Sequence, residues 1–144
     1  MPNFHKFTIK AQEALQNAQD LAAQRNHSEF RALHLLASLL ADGQSLVRPL
    51  LIKSGANVEA LDASLDGELQ KLPKLFGGST VGQLYLSQEL MHILDRAGKI
   101  ALSQKDEFIS CEHVLLAILE VPSAAQGLLE RFGVRRESAL RILA

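Results

Sequence analysis

Apolar residues recur in this chain at helical spacing, and they do so twice. Leu15, Ala18 and Ala22 lie three or four residues apart, as do Leu90, Leu94, Ala97 and Ala101. Each set lines one face of a helix. The first predicts a helix from about Thr8 to Arg25, the second from about Ser87 to Ser103. Thr8 and Ser87 suit the N-cap, where a side-chain oxygen accepts an amide left free in the first turn. A second helix follows in each half, over about Ala32 to Ala41 and Cys111 to Glu120, with Ser110 capping the latter. Leu33, Leu35, Leu36, Leu39 and Leu40, like Val114, Leu115, Ile118 and Leu119, are too apolar for a surface helix. These two helices should form the central buried pair. Short third helices end at Gly55 and Gly133, residues suited to the left-handed position past a helix. Pro49 falls in a first turn, where its missing amide is harmless. Fourth helices cover about Val58 to Leu72 and Arg136 to the end. Gly98, inside an apolar stripe, costs about 1 kcal/mol relative to Ala and reads as a close helix-helix contact, with mere tolerance as the alternative.

The two halves are one pattern repeated at a shift of about 79 residues. Leu15 then meets Leu94, Ala18 meets Ala97, Phe30 meets Ile109, His34 meets His113 and Leu36 meets Leu115. One deletion later, Leu50, Leu51 and Gly55 fall opposite Leu128, Leu129 and Gly133. Leucine matches are cheap in so leucine-rich a chain; the histidine, glycine and capping matches are not. The expected fold is all-α, two four-helix repeats related by an approximate two-fold axis with a groove between them. The boundaries predicted are repeat one at 7–72, a linker at 73–84 and repeat two at 85–144, together one domain. Leu72-Pro73-Lys74 and the glycines at 77, 78 and 82 forbid regular helix in the linker.

Composition narrows the function more than the fold. Basic and acidic residues nearly balance, 15 against 16, and no polybasic stripe occurs, so neither nucleic acid nor an anionic membrane is an expected partner. No apolar run approaches the roughly 20 residues that span a bilayer. The single cysteine suits a reducing compartment, and a cytoplasmic protein is expected. The stretch Gly77-Gly78-Ser79-Thr80-Val81-Gly82 lacks the Gly-Lys-Ser/Thr ending of a phosphate-binding loop. Cys111 and His113, two apart on a helix, project to nearly opposite faces and cannot share a proton. Cys111 is read as a buried inert thiol, and His34 and His113 as histidines bonded to local backbone without the further ligands a metal needs. His5, His27 and His92 read as surface residues. No catalytic set and no metal or cofactor site is expected in this chain.

The segments Phe7-Thr8-Ile9-Lys10-Ala11-Gln12-Glu13-Ala14-Leu15, His34-Leu35-Leu36, Leu72-Pro73-Lys74, Leu84-Tyr85-Leu86-Ser87 and Lys105-Asp106-Glu107-Phe108-Ile109-Ser110-Cys111-Glu112-His113-Val114-Leu115-Leu116 point to a family. In their order and spacing, and with the duplication, the chain resembles the Clp N-terminal repeat domain, most closely the ClpB/Hsp104 branch of protein disaggregases. The Leu-Pro-Lys linker and the Tyr-Leu-Ser before the second repeat favour that branch. The alternative is an adaptor- or substrate-docking domain of a ClpA/ClpC-type protease partner. One departure from the family pattern is that Glu112 precedes the second histidine whereas Leu33 precedes the first.

The resemblance implies a non-catalytic module that engages unfolded or aggregated polypeptide. It implies a hexameric AAA+ parent that holds ATP and Mg in other segments and works with a DnaK-type chaperone system; the isolated domain should be a monomer. Among site residues it implies Thr8, Asp106 and Glu112 as substrate-binding. Carboxylates beside an apolar groove can hold the amides and cations of a polypeptide. The same residues also serve as N-cap, turn cap and first-turn carboxylate. Leu90, Leu94 and Val114 are the apolar candidates where the repeats meet.

Overall fold

The computed structural model describes residues 4–75 and 84–143. Among these, eight α-helices account for nearly all regular structure. After a 3-10 turn at Phe4–Lys6 come α1 (Ile9–Gln24), a two-residue strand β1 (Glu29–Phe30), α2 (Ala32–Ala41), α3 (Val47–Lys53) and α4 (Val58–Gln70). The second half opens with β2 (Tyr85–Leu86) and continues through α5 (Gln88–Ser103), α6 (Cys111–Glu120), α7 (Ala124–Arg131) and α8 (Arg136–Leu143). The chain is all-α, as expected from its leucine and alanine content. Most of the predicted linker, 76–83, including its glycines, lies outside the described residues.

Helix starts follow the capping chemistry. Thr8 accepts a hydrogen bond from the Ala11 amide, Ser87 from Leu90 and Ser110 from His113. Helix ends follow backbone sterics. Gly55 and Gly133 stand at φ 92° and 81°, where a Cβ would crowd the preceding carbonyl. Pro49 is the third residue of α3, inside its first turn.

The two halves make the same contacts with their roles exchanged. Phe7, just before α1, pairs in parallel with Ile109, just before α6. Reciprocally, Leu86, just before α5, pairs in parallel with Phe30, just before α2. The Thr8 amide donates to the Ile109 carbonyl and the Ser87 amide to the Phe30 carbonyl, each at 2.9 Å. Helix contacts between the halves come in the same mirrored pairs: α1 on α6 and α5 on α2, α2 on α7 and α6 on α3, α3 on α8 and α7 on α4. That exchange is the signature of an isologous two-fold interface, here within one chain. The repeats are therefore related by an approximate two-fold axis and share one core. The central helices α2 and α6 supply much of it, with Leu35, Leu36, Leu39, Leu115, Leu116 and Ile118 almost wholly enclosed.

At Gly98 the alternative of mere tolerance fits better than a close contact. A Cβ placed there would meet Ile109 Cδ1 at 3.5 Å, an ordinary contact with a side chain, so no close helix-helix approach requires glycine. Gly67 in α4 and Gly127 in α7 have nothing within 4 Å of such a Cβ. Gly67→Ala and Gly127→Ala are expected to raise stability by roughly 0.5–1 kcal/mol each, by propensity and reduced unfolded-state freedom. Gly55→Ala and Gly133→Ala should lower it by about 1 kcal/mol, because both positions are left-handed. Urea denaturation of the four variants checks the contrast in sign.

Candidate functional site

The second repeat places a histidine, two carboxylates and an apolar wall around one cleft. α5 ends in a turn through Lys105, a non-glycine residue at φ 61°, which carries Asp106 out of the helix. Three residues into α6, His113 folds back on its own cap: the Ser110 backbone amide donates to His113 Nδ1 at 2.9 Å. With Nδ1 occupied as an acceptor, the neutral ring carries its proton on Nε2. That proton is shared between Asp106 Oδ2 at 2.8 Å and Gln104 Oε1 at 3.0 Å. The ring is buried while the Asp106 side chain stays half exposed, so the histidine fixes the carboxylate and leaves its other oxygen to solvent.

Glu112 sits in the first turn of α6, where the helix dipole favours a carboxylate. Neither its oxygens nor Asp106 Oδ1 receive a donor among the described residues. Both residues line a cleft of about 430 Å³, whose accessible apolar side is Leu140 and Leu143, with the buried Leu116 forming its floor. A carboxylate pair with spare acceptor capacity beside leucines can take backbone amides, Lys or Arg together with aliphatic side chains.

Thr8 does not line that cleft. It caps α1, and its backbone amide bonds Ile109, three residues before Glu112. The apolar candidates need correction. Leu90 and Val114 are core residues, 0% and 2% exposed, and no ligand reaches them in this conformation. Leu94 is also buried, but it borders a small hollow of about 70 Å³ with Phe4, Leu15, Phe30, Leu84 and Leu86. That hollow lies at the seam of the repeats, where a wider groove was expected. Helical periodicity identifies inward positions but not which of them border a seam. Leu140 and Leu143, the leucines with accessible surface in the cleft, carry no sequence signal that sets them apart. The His113–Asp106 bond was legible in principle: a histidine at the third position of a helix bends back toward its cap, and a carboxylate stands seven residues earlier.

The equivalent place in repeat one is closed. His34 Nδ1 accepts from the Arg31 amide at 2.9 Å, so its Nε2 proton goes to His27 Nδ1, 2.7 Å away. His27, expected at the surface, is 2% exposed. It occupies the position of Asp106 in the repeat register, and the chain after α4 crosses over it. Lys74 forms an antiparallel bridge with it, and Leu75 donates to the Asn26 carbonyl at 2.7 Å. Among the described residues, His27 Nε2 has no partner at hydrogen-bond geometry. Burial lowers the His34 pKa to about 4, with His27 and the Arg31 and Arg25 cations adding to the effect. His27 is lowered as well, by burial and then by Arg25 and Lys74.

Other candidates carry no chemistry. Burial, followed by Glu112 and Asp42, pushes the Cys111 thiol up to about 11, the range of an inert thiol. His113 bonds Ser110, Gln104 and Asp106 rather than Cys111. No group of three or more His, Cys, Asp or Glu able to hold a metal occurs among the described residues. A shallow furrow of about 460 Å³ between α1 and α2 is lined by Lys10, Glu13 and Asp42, which already pair with one another.

Comparison with known proteins agrees with this architecture. The family described as "Clp repeat (R) N-terminal domain" matches residues 6–132. The chaperone protein ClpB of Bacillus cereus is 36% identical over 142 residues, 98% of this chain and 16% of that protein. ClpB of Nitratidesulfovibrio vulgaris is 39% identical over 141 residues, 96% of this chain and again 16% of the relative. Among solved structures, the Hsp104 N-terminal domain from Candida albicans superimposes with a TM-score of 0.83 at 23% identity, covering 96% of this chain and 92% of that one. The chain thus spans about one sixth of the length of the curated relatives it matches.

Proposed function

We propose, from the premise that this chain belongs to the Clp repeat N-terminal domain family, that it is the polypeptide-binding N-terminal domain of a ClpB-type disaggregase. The observation that carries the reading is the open cleft of repeat two, where Asp106 and Glu112 hold unpaired carboxylate oxygens beside Leu140 and Leu143. A non-native chain offers what those groups lack: amide donors, cations and exposed aliphatic side chains. Thr8 contributes by fixing the start of α1 through its bond to the Ile109 carbonyl rather than by lining the cleft. Leu94 contributes through the seam hollow. The domain performs no bond-breaking of its own. ATP and Mg bind in the AAA+ segments of a hexameric parent that acts with a DnaK-type chaperone system in the cytoplasm, and the separate domain is a monomer. Among the described residues no helix is long and apolar enough to cross a membrane.

Affinity should be weak, because a cleft of this size buries little area. Titrating an unfolded, apolar-rich client into isotope-labelled domain should shift the amide resonances of Asp106, Glu112 and Leu116. Asp106→Asn with Glu112→Gln should weaken binding roughly three- to tenfold, the value of one or two charge-assisted hydrogen bonds. A spectrum unmoved at millimolar client would remove the reading.

A further inference from the structure

The first repeat already contains an extended segment docked on the surface that repeat two leaves open. The turn after α1 and the turn after α5 have one geometry. Asn26 and Lys105 stand at φ 59° and 61°, and their amides donate to Ala23 and Leu102, in the same order. His27 and Asp106 then donate to Ala22 and Ala101. In repeat one this turn is an acceptor-donor template. The Asn26 carbonyl accepts from Leu75 at 2.7 Å and the Ser28 amide donates to the Pro73 carbonyl at 3.3 Å, with Lys74 opposite His27. In repeat two the matching groups are the Lys105 carbonyl and the Glu107 amide. Neither has a partner among the described residues, and residues 102–108 are exposed throughout.

We propose that the Lys105–Glu107 turn binds client polypeptide as an antiparallel extended segment, through the backbone bonds that Pro73–Leu75 make in repeat one. Charge selects the residue opposite Asp106. In repeat one a cation, Lys74, lies across from a neutral histidine; in repeat two a carboxylate occupies that place, with Glu107 and Glu112 near it in sequence. The preferred occupant is therefore an extended stretch with Lys or Arg opposite Asp106 and aliphatic residues two positions away on either side, on the same face. Those side chains meet Leu140 and Leu143 in the cleft that Asp106 borders. Backbone pairing explains how one site accepts many sequences, since every non-proline residue offers the same amide and carbonyl. The inference rests on the polypeptide-binding reading and specifies how the chain is held.

The probe is a capped peptide of the protein's own residues 71–76, Lys-Leu-Pro-Lys-Leu-Phe. Titrated into labelled domain, it should shift the Glu107 amide downfield, slow its hydrogen exchange and perturb Lys105 and Asp106. N-methylation of the second leucine, which supplies the bond to the Lys105 carbonyl, should weaken binding roughly two- to tenfold. N-methylation of the second lysine, whose amide makes no bond in the template, should have a smaller effect. Asp106→Asn should weaken the peptide roughly two- to fivefold, and the loss should shrink in high salt. Equal sensitivity to both methylations, with the peptide still bound in the cleft, would overturn backbone pairing and leave the polypeptide-binding reading standing. Shifts at Asn26–Ser28 instead, by exchange with the native segment, would overturn it too. So would shifts at Glu107 that follow domain concentration without peptide, since the occupant would then be a second copy. Failure of the unfolded client to bind at all counts against the broader reading.

Discussion

Leu36→Ala and Leu115→Ala are each expected to destabilise the domain by roughly 3–5 kcal/mol, the range for leucine truncation in a core that cannot collapse around the void. Both side chains are 0% exposed, and they occupy equivalent places in α2 and α6, the helices that the other elements surround. A domain of this size has about 5–15 kcal/mol in total, so the double variant should be largely unfolded at room temperature. The approximate symmetry sharpens the expectation: the two single variants should cost nearly the same, because each residue sits in the same packing environment with the halves exchanged. Leu102→Ala is the control. That side chain is 78% exposed, and its truncation should stay within about 0.5 kcal/mol. Urea unfolding followed by circular dichroism reads all four. Leu36→Ala costing no more than Leu102→Ala would mean that α2 is not the centre of the core.

The success of the sequence reading at these helices has a physical cause. α2 and α6 begin and end where the sequence places them, at Ala32–Ala41 and Cys111–Glu120, because their apolar runs fill both helices and Ser110 caps the start of α6. Caps, left-handed glycines and 3.6-residue periodicity are local signals, and local signals survive in one dimension. What was not legible is set by pairings distant in sequence. The two-residue strands follow from the halves docking on each other, and Tyr85–Leu86 shows no strand pattern alone. His27 was misplaced because polar neighbours flank it, while its burial comes from Pro73–Leu75 passing overhead. The repeat register held a clue: it sets His27 opposite Asp106, and one histidine-partner pair in each half follows from that alignment. Leu90 and Val114 look like cleft residues in the sequence for the opposite reason. They carry the inward period strongly, and the residues of strongest period are the ones enclosed from all sides. The accessible leucines of the cleft are instead Leu140 and Leu143 on α8, whose docking no local pattern announces.

Acidification should loosen repeat one before repeat two, and His34 sets the size of the effect. Its pKa falls from an ordinary 6.5 to about 4 in the folded chain, chiefly by burial, and His27 is lowered in the same direction. An imidazole that binds its proton less readily when folded favours the unfolded chain as protons become available. The stability is therefore fully present above about pH 6.5 and is lost as pH falls from there toward about 4. His34 alone accounts for a loss of about 2 kcal/mol by pH 5, from the linkage of one group shifted by that amount. Geometry gives the same direction independently. A proton on His27 Nδ1 would face the Nε2 proton of His34 across 2.7 Å, and a proton on His34 Nδ1 would face the Arg31 amide. Either one breaks a buried hydrogen bond beside Arg25, Arg31 and Lys74. The charged neighbours also include Glu29, paired with Arg31, and Asp66, paired with Arg25, so neither carboxylate is left over to neutralise the ring. Stability measured by urea at pH 7.5 and pH 5 should fall steeply in the native chain and less in His34→Gln, which does not titrate. Hydrogen exchange at pH 5 should open the Leu75 amide ahead of the Ile109 amide. Parallel pH profiles for the native chain and His34→Gln would show that the buried pair is not the group responsible.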